Sequence, residues 1–360
     1  MESPLSRTRL ALGAITVTVA AGMAAGLRGF YRRLPFSSGE SELLHARTGD
    51  GWFVSMYRYP GREPKKPHPV VASHGFAGSH AIYDLGEVSL ARYLAEYGYD
   101  VYTIDLRGRG ESWPPGGPRP DLVWDFEDFV SEDLPAAVTQ ACRTSHASQC
   151  FWLGMEMSGQ ALYAACVTGT AGGIRGAVTF GAPAVTPPTA RVPGVTAAPH
   201  ARSGGRVRFR AGSHHAGPIL ALLRSSQLES SFRPANTDPL ISARYLRCGV
   251  PDEAESLADQ FADWVENQTM RDTEGKVVYR DRLGEIRLPV LLMAGGHDLQ
   301  RPAEAVRDTF EAIGSDDKTF VLAGIDGGFS FDFGHDDLLA GRRAPAEVFP
   351  VVREWLDDHC

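Results

Sequence analysis

The sequence predicts an α/β protein in which a mostly parallel, doubly wound sheet is interrupted by a helical insertion. Short apolar and β-branched runs alternate with helical patterns from about residue 43 onward, which is typical of βαβ units. This alternation stops near residue 184 and resumes near residue 287. Polar side chains directly follow three of the predicted strands, where such a sheet binds its ligands.

The composition is that of an ordinary globular protein. Of the 360 residues, 43% are hydrophobic and 22% are charged, which excludes a disordered chain and a polytopic membrane protein. The formal net charge of -8 argues against a general nucleic-acid binder. The five cysteines lack a CxxC spacing and predict reduced thiols in a non-oxidising compartment.

Residues 1–42 are predicted to form an N-terminal tail or anchor. The stretch 10–27 carries no charge, and arginines flank it on both sides. As a helix it would span about 27 Å, barely the thickness of a bilayer core. The arginines that follow it place the main domain on the cytoplasmic side by the positive-inside rule. We therefore expect membrane association with a cytoplasmic main domain; a cleaved export signal and a merely apolar or amphipathic tail are the alternatives.

The remaining elements divide into a core and a cap. The predicted strands are 52–59, 69–74, 100–105, 150–154, 174–180, 289–294 and 318–322. The predicted helices are 89–97, 129–143, 158–167, 302–313 and 344–359, with a further helical segment at 254–267. Residues 43–183 and 287–360 are expected to form the sheet domain, and residues 184–286 are expected to form a cap inserted between two of its strands.

The first half of the predicted cap contains a basic run. It consists of Arg202, Arg206, Arg208, Arg210, His214 and His215. A run of this kind usually forms a solvated, mobile loop. The alternative is a site for an anionic headgroup or a membrane surface.

The segment that follows strand 150–154 predicts the reactive position. A strand that turns sharply into a helix needs small residues two positions before and after the apex, and Gly154 and Ser158 meet this need. The apex is then Glu156, where a Gly-x-Ser-x-Gly elbow would carry a hydroxyl nucleophile. Ser158 is the alternative nucleophile, although two positions along a helix turn a side chain by about 200°, away from the pocket that Glu156 faces.

Asp298, His335 and two backbone donors complete the predicted site. Asp298 and His335 each follow a predicted strand, and the order apex, acid, histidine is typical of this architecture. Asp298 would hold the imidazole of His335 in its working tautomer. The N–H groups of Phe76 and Met157 are predicted to form an oxyanion hole.

Further motifs surround these residues. They are His74-Gly75-Phe76 and the segments 89–94, 98–102, 105–110, 124–129, 133–136, 294–298 and 334–350. With them, the chain from about residue 43 to its end resembles the α/β-hydrolase superfamily, and within it the acid lipases and polyhydroxyalkanoate synthases. Members of those families carry Ser or Cys where this sequence has Glu156. The resemblance is weak across residues 184–242, so it does not imply a substrate.

A carboxylate at the elbow makes ordinary ester hydrolysis unfavourable. Its attack on an ester would give a mixed anhydride, which is a high-energy intermediate. Attack on an sp³ carbon, as the related epoxide hydrolases and dehalogenases perform with Asp, gives a stable ester that a water activated by His335 would hydrolyse. We expect a hydrolase of a hydrophobic or lipid-like small molecule, with His335 as the ion-pair partner of Glu156. The alternatives are a lyase or isomerase, a catalytically retired binding protein, and a Ser158-dependent lipase or esterase.

No cofactor, metal or nucleic acid is expected. His74, His297, Asp298 and His335 gather near the predicted site, but no HxxxH or HxH spacing supports a metal centre. Four aromatic residues are expected either to line the pocket or to form the core of the cap: Phe126, Phe261, Trp264 and Tyr279.

Overall fold

The structure is a computed structural model that describes residues 39–119, 123–190, 202–203 and 205–360, together with Gly29 and Leu34. The chain divides into two units after residue 37, and the described residues from Gly39 onward belong to the second of them. The apolar stretch 10–27, predicted as an anchor, lies outside the described residues. Within the part of the chain that is described, no helix has the length and apolar character needed to cross a bilayer.

The described residues form eleven strands in two sheets. The strands are β1 (Glu42–Arg47), β2 (Phe53–Tyr59), β3 (Val70–Ser73), β4 (Val101–Asp105), β5 (Cys150–Met155), β6 (Ile174–Phe180), β7 (Arg202–Ser203), β8 (Arg206–Val207), β9 (Glu253–Ala254), β10 (Val290–Gly295) and β11 (Lys318–Ala323). The larger sheet has the order β1-β2-β4-β3-β5-β6-β10-β11, and β7, β8 and β9 form the smaller one. Strand β2 is antiparallel to both of its neighbours, whereas all other neighbours in the larger sheet are parallel.

Helices flank this sheet. They are α1 (Leu90–Glu96), α2 (Leu134–Thr144), α3 (Met157–Thr168), α4 (Arg210–His215), α5 (Gly217–Leu222), α6 (Pro239–Cys248), α7 (Glu255–Asn267), α8 (Ala303–Ala312), α9 (Asp337–Ala340) and α10 (Ala344–Asp358). An α-helical turn, Phe126–Asp128, and a π-helical turn, Phe129–Asp133, lead into α2; the 3₁₀ turns are His80–Tyr83, Ser226–Leu228, Arg280–Glu285 and Ile325–Gly327. The predicted mostly parallel α/β sheet is thus confirmed.

The central strands are buried along their whole length. Every residue of β5 and of β10 is buried, as expected of parallel strands covered on both faces. Helix α1 packs against α10, while α3 packs against the π-helical turn and the 3₁₀ turn at Arg280–Glu285. Helix α3 also packs against β5, and the carboxyl end of that strand carries the elbow.

The described residues between β6 and β10 add no strand to the larger sheet. Helices α4, α5 and α6 of this segment pack against one another. Phe126, Phe261, Trp264 and Tyr279, which the sequence assigns either to the pocket or to the core of the cap, form a buried cluster. This cluster joins α7 to the turn before α2; for example, the ring centroids of Phe126 and Trp264 lie 4.8 Å apart. They therefore belong to the hydrophobic core and do not line the cavity described below.

Candidate active site

The elbow after β5 has Glu156 at its apex. Its φ is 50°, a left-handed conformation that strains any residue other than glycine. Glycine is required two residues earlier, because a Cβ on Gly154 would lie 2.7 Å from the backbone nitrogen of Gly159. Glu156 is therefore the residue at which the chain turns from β5 into α3.

The carboxylate of Glu156 lies in the predicted oxyanion hole. The N–H of Phe76 donates to its Oε2 over 2.6 Å. Met157 is the first residue of α3, so its N–H has no acceptor within the helix. A Cβ on Gly75 would lie 2.8 Å from the same Oε2, so a glycine there gives the carboxylate its room. One of the two predicted donors is therefore bound to the protein's own carboxyl group.

The ion-pair partner of Glu156 is Arg301, and the expectation that His335 would play this part was wrong. The guanidinium of Arg301 contacts Oε1 of Glu156 and donates to the hydroxyl of Thr186. Arg301 is 1% exposed and Glu156 is 4% exposed, so both charges are buried. Burial lowers the pKa of Arg301 to about 9, which leaves it charged at neutral pH.

The turn that carries Asp298 also positions Arg301. The N–H groups of Gln300 and Arg301 donate to Oδ1 of Asp298 over 2.9 and 2.7 Å. In the sequence, this arginine precedes a proline and a helical pattern and looks like part of a helix start. The signal that could have indicated Arg301 is physical: a carboxylate at a buried elbow needs a buried cation as its partner.

The imidazole of His335 contacts the carboxylate of Asp298. Its Nδ1 lies 2.7 Å from Oδ2 of Asp298, and both side chains are buried. Burial by itself would lower the pKa of His335, but the charge of Asp298 and the hydrogen bond to it raise this pKa above its ordinary value. With Nδ1 occupied, the other ring nitrogen remains for proton transfer.

Glu156 and His335 line the same cavity. Its volume is about 240 Å³. Apolar side chains from the segment between β6 and β10 form much of the opposite wall: Phe209, Leu228, Phe232, Tyr245, Leu246 and Val250. Asp336 also lines it, and burial raises the pKa of this carboxyl to about 6. The cavity thus combines a carboxylate and an imidazole with a mainly apolar wall, as small-molecule sites do.

Ser158 lies outside this cavity. Its hydroxyl is fully buried, 2.6 Å from the hydroxyl of Ser73, and it donates to the carbonyl oxygen of His74. The ring of His74 is also occupied, because Nδ1 contacts the carbonyl of Gly75 and Nε2 accepts from the N–H of Leu106. Burial lowers the pKa of His74 to about 3, so this ring is neutral.

The strand order, the strained elbow and the residues that follow β10 and β11 define an α/β-hydrolase fold. Residues 64–248, just over half of the chain, match the family described as serine aminopeptidase, S33. The chain belongs to this family, although its elbow carries Glu156. No curated protein matches the sequence.

Several solved structures share the fold. The monoglyceride lipase of Saccharomyces cerevisiae has a TM-score of 0.57 and 18% identity, covering 90% of this chain and 98% of its own. A membrane phospholipase A, described as a bacterial virulence factor, has a TM-score of 0.55 and 18% identity, covering 98% and 99%. The monoacylglycerol lipase of Paleococcus ferrophilus has a TM-score of 0.54 and 18% identity, covering 89% and 100%. At these identities the likeness establishes the fold alone.

Proposed function

We propose that the protein is a hydrolase that cleaves a bond at an sp³ carbon of a hydrophobic or lipid-like small molecule, with Glu156 as the nucleophile. The hydrogen bond from the Phe76 N–H to Oε2 of Glu156 carries this proposal. Because the Phe76 N–H already donates to Glu156, it is not available to the carbonyl oxygen of a substrate ester. If an ester forms on Glu156 itself, Oε2 becomes the carbonyl oxygen of that ester and already accepts from the Phe76 N–H.

In the first step, Oε1 of Glu156 attacks the sp³ carbon. A carbon–oxygen bond to Glu156 forms, the bond from carbon to the leaving atom breaks, and its electron pair goes to the leaving group. If the leaving atom is an epoxide oxygen, it takes a proton from water. Arg301 keeps Glu156 ionised before the attack and occupies one side of Oε1.

In the second step, water hydrolyses the ester. His335 takes a proton from the water, and Asp298 stabilises the resulting imidazolium. The water oxygen adds to Cδ of Glu156, and the negative charge develops on Oε2, where the N–H groups of Phe76 and Met157 stabilise it. When this intermediate collapses, the bond from Cδ to the former Oε1 breaks and the imidazolium of His335 gives its proton to that oxygen, which leaves as an alcohol. The new carboxyl group of Glu156 then loses its proton to water, which restores the carboxylate.

The cavity and the family support the choice of substrate. Membership of a hydrolase family favours bond cleavage by water over a lyase or isomerase reaction. The wall opposite Glu156 is mostly apolar, so a hydrocarbon group next to the reacting carbon would replace water there. Two of the structures that share the fold are lipases, which is consistent with a lipid-like substrate.

A binding protein without catalysis is the second candidate. The buried contact with Arg301 favours this candidate, because the charge of the guanidinium compensates that of the Glu156 carboxylate and makes the carboxylate a weaker nucleophile. In that case the carboxylate and the guanidinium would serve to shape the cavity for an apolar ligand.

Oxygen labelling distinguishes these candidates. During a single turnover of a long-chain terminal epoxide in ¹⁸O-water, we expect the label in the Glu156 carboxylate and unlabelled oxygen in the new hydroxyl of the product. Peptide mass spectrometry would locate the label. Glu229→Gln, at a half-exposed carboxylate in the segment between β6 and β10, is the control and should take up label at Glu156 as the parent does.

Uptake of ¹⁸O by Glu156 requires that a covalent ester forms on its carboxylate and is hydrolysed. Glu156→Gln should give neither label nor diol. Label in the diol after the first turnover would contradict the nucleophilic role, and absence of turnover across epoxide and haloalkane probes would favour the binding protein.

We also propose that residues 10–27 attach the chain to a membrane, with the sheet domain on the cytoplasmic side. The flanking arginines support this orientation. Protease added outside intact cells should leave the sheet domain whole and should digest it only after the membrane is opened. Digestion from outside would contradict the orientation.

A further inference from the structure

A second cleft of the molecule is strongly basic. Its volume is about 890 Å³. Six arginines line it: Arg109, Arg119, Arg206, Arg208, Arg210 and Arg247. Only two carboxylates, Asp105 and Asp252, lie in the same wall among the described residues. Since the whole chain has a net charge of -8, this concentration of positive charge is a local property of the cleft.

The two carboxylates are already engaged. Asp105 is fully buried and accepts hydrogen bonds from the backbone and the ring of His80. Asp252 accepts from the backbone N–H of Arg210 over 2.9 Å. The exposed side chains of Arg208 and Arg210 have no ion pair with a carboxylate among the described residues. Their charges therefore remain for a ligand.

Two arginines of the cleft, Arg109 and Arg206, are more buried than Arg208 and Arg210. The guanidinium of Arg206 lies 4.0 Å from the ring centroid of Trp124, and burial lowers the pKa of Arg206. Arg109 is fully buried and pairs with Glu253, and its Nε has no acceptor among the described residues.

The cleft adjoins the cavity that contains Glu156. Val250 lies in the walls of both. Helix α4 and the residues just before it separate them, because Phe209 and Ser213 line the cavity whereas Arg208, Arg210 and His214 line the cleft. An amphiphilic molecule could therefore place its charged group in one and its apolar group in the other.

We propose that this cleft binds a phosphate group, as a monoester or diester. Planar guanidinium groups match the oxygens of phosphate in a bidentate way. Several arginines together also match the charge of a phosphate monoester, which is about −1.5 to −2 at pH 7. The cleft has room for more than the phosphate itself. A lipid headgroup and a soluble phosphate ester share this chemistry. The inference does not depend on the reaction at Glu156.

Calorimetric titration and vesicle co-sedimentation of the full chain test this site. The probes are inorganic phosphate, hexyl phosphate, and phosphatidylcholine vesicles with and without phosphatidic acid. The test variant is Arg208→Gln/Arg210→Gln. The control is Arg62→Gln/Arg143→Gln, which removes the same charge from exposed arginines away from the cleft. Thermal unfolding of both variants should match the parent.

We expect the test variant to bind at least tenfold more weakly than the parent, and the control to bind like the parent. Saturable binding of hexyl phosphate supports the site and assigns it to a soluble ester. Binding only to vesicles that contain phosphatidic acid also supports the site and assigns it to a headgroup. No binding of any probe, or an equal loss in test variant and control, would overturn the proposal.

Discussion

Replacing His335 with glutamine is expected to stop the proposed reaction halfway, with the substrate carbon joined to Glu156 as an ester. Attack by Glu156 needs no base, whereas hydrolysis of the ester needs a water activated by His335. We expect turnover to fall by about 10²- to 10⁴-fold, which is the range for loss of a general base. Intact-mass measurement after incubation with a long-chain epoxide should show an adduct, and peptide mapping should place it on Glu156.

Two further variants make this result specific. Glu156→Gln/His335→Gln should form no adduct at all. His297→Gln removes a half-exposed imidazole next to Asp298 and should retain turnover without accumulating ester. Unimpaired turnover in His335→Gln, or an adduct on Ser158, would contradict the assigned roles.

The pH dependence of ester hydrolysis provides a second readout of His335. A general base acts in its neutral form, so the rate should fall as the pH drops through the pKa of His335. Because Asp298 raises this pKa above its ordinary value, the fall should occur above about pH 6.5. In Asp298→Asn, burial and the charge of Arg301 lower the pKa of His335 and only the charge of Asp336 still raises it, so the fall should move to lower pH, while the plateau rate also decreases. Single-turnover rates between pH 5 and 9 would measure both effects.

Removing Arg301 is expected to destabilise the fold more than any surface substitution. Arg301→Met leaves the Glu156 carboxylate buried without a cation, and breaking a buried pair in this way typically costs about 3 to 5 kcal/mol in the free energy of unfolding. The loss should be smaller at pH 5 than at pH 8, because an isolated carboxylate can take up a proton. Urea unfolding at the two pH values would measure it.

A double variant tests whether the pair is the cause. Glu156→Gln/Arg301→Met removes both charges and should recover most of the lost stability. Arg342→Met, which breaks the exposed pair with Asp238, is the control and should cost less than about 1 kcal/mol. If Arg301→Met were as stable as Arg342→Met, the two buried charges would not depend on one another.

The sheet could be predicted from sequence because its central strands are continuous apolar runs. Strands β5 and β10 are buried on both faces, which leaves a strong signal in the chain. Strand β1 was not predicted, because an edge strand with Glu42 and Arg47 at its ends is largely exposed. The two-residue strands of the smaller sheet are too short for any periodic pattern.

The site could be predicted only as far as local rules reach. The small residues around the apex fix Glu156, and the chain order indicates Asp298 and His335. The contact between Glu156 and Arg301 joins residues 145 positions apart, and it depends on how the turn after β10 folds back over the elbow. No pattern within either segment contains that information. The arginines of the cleft were visible as a basic run, but its walls at Arg109 and Arg247 come from distant parts of the chain.

The shared turn of Asp298 and Arg301 has a consequence for the history of the elbow. A change of Glu156 to Ser in one step would leave a guanidinium buried without a counter-charge, and a change of Arg301 alone would leave a carboxylate in the same condition. Evolution between this chain and a serine hydrolase would therefore have to alter both positions, and whichever changed first would leave the other charge buried without a partner until the second change followed. Relatives with Ser at the elbow are accordingly expected to have lost the arginine three residues after the acid.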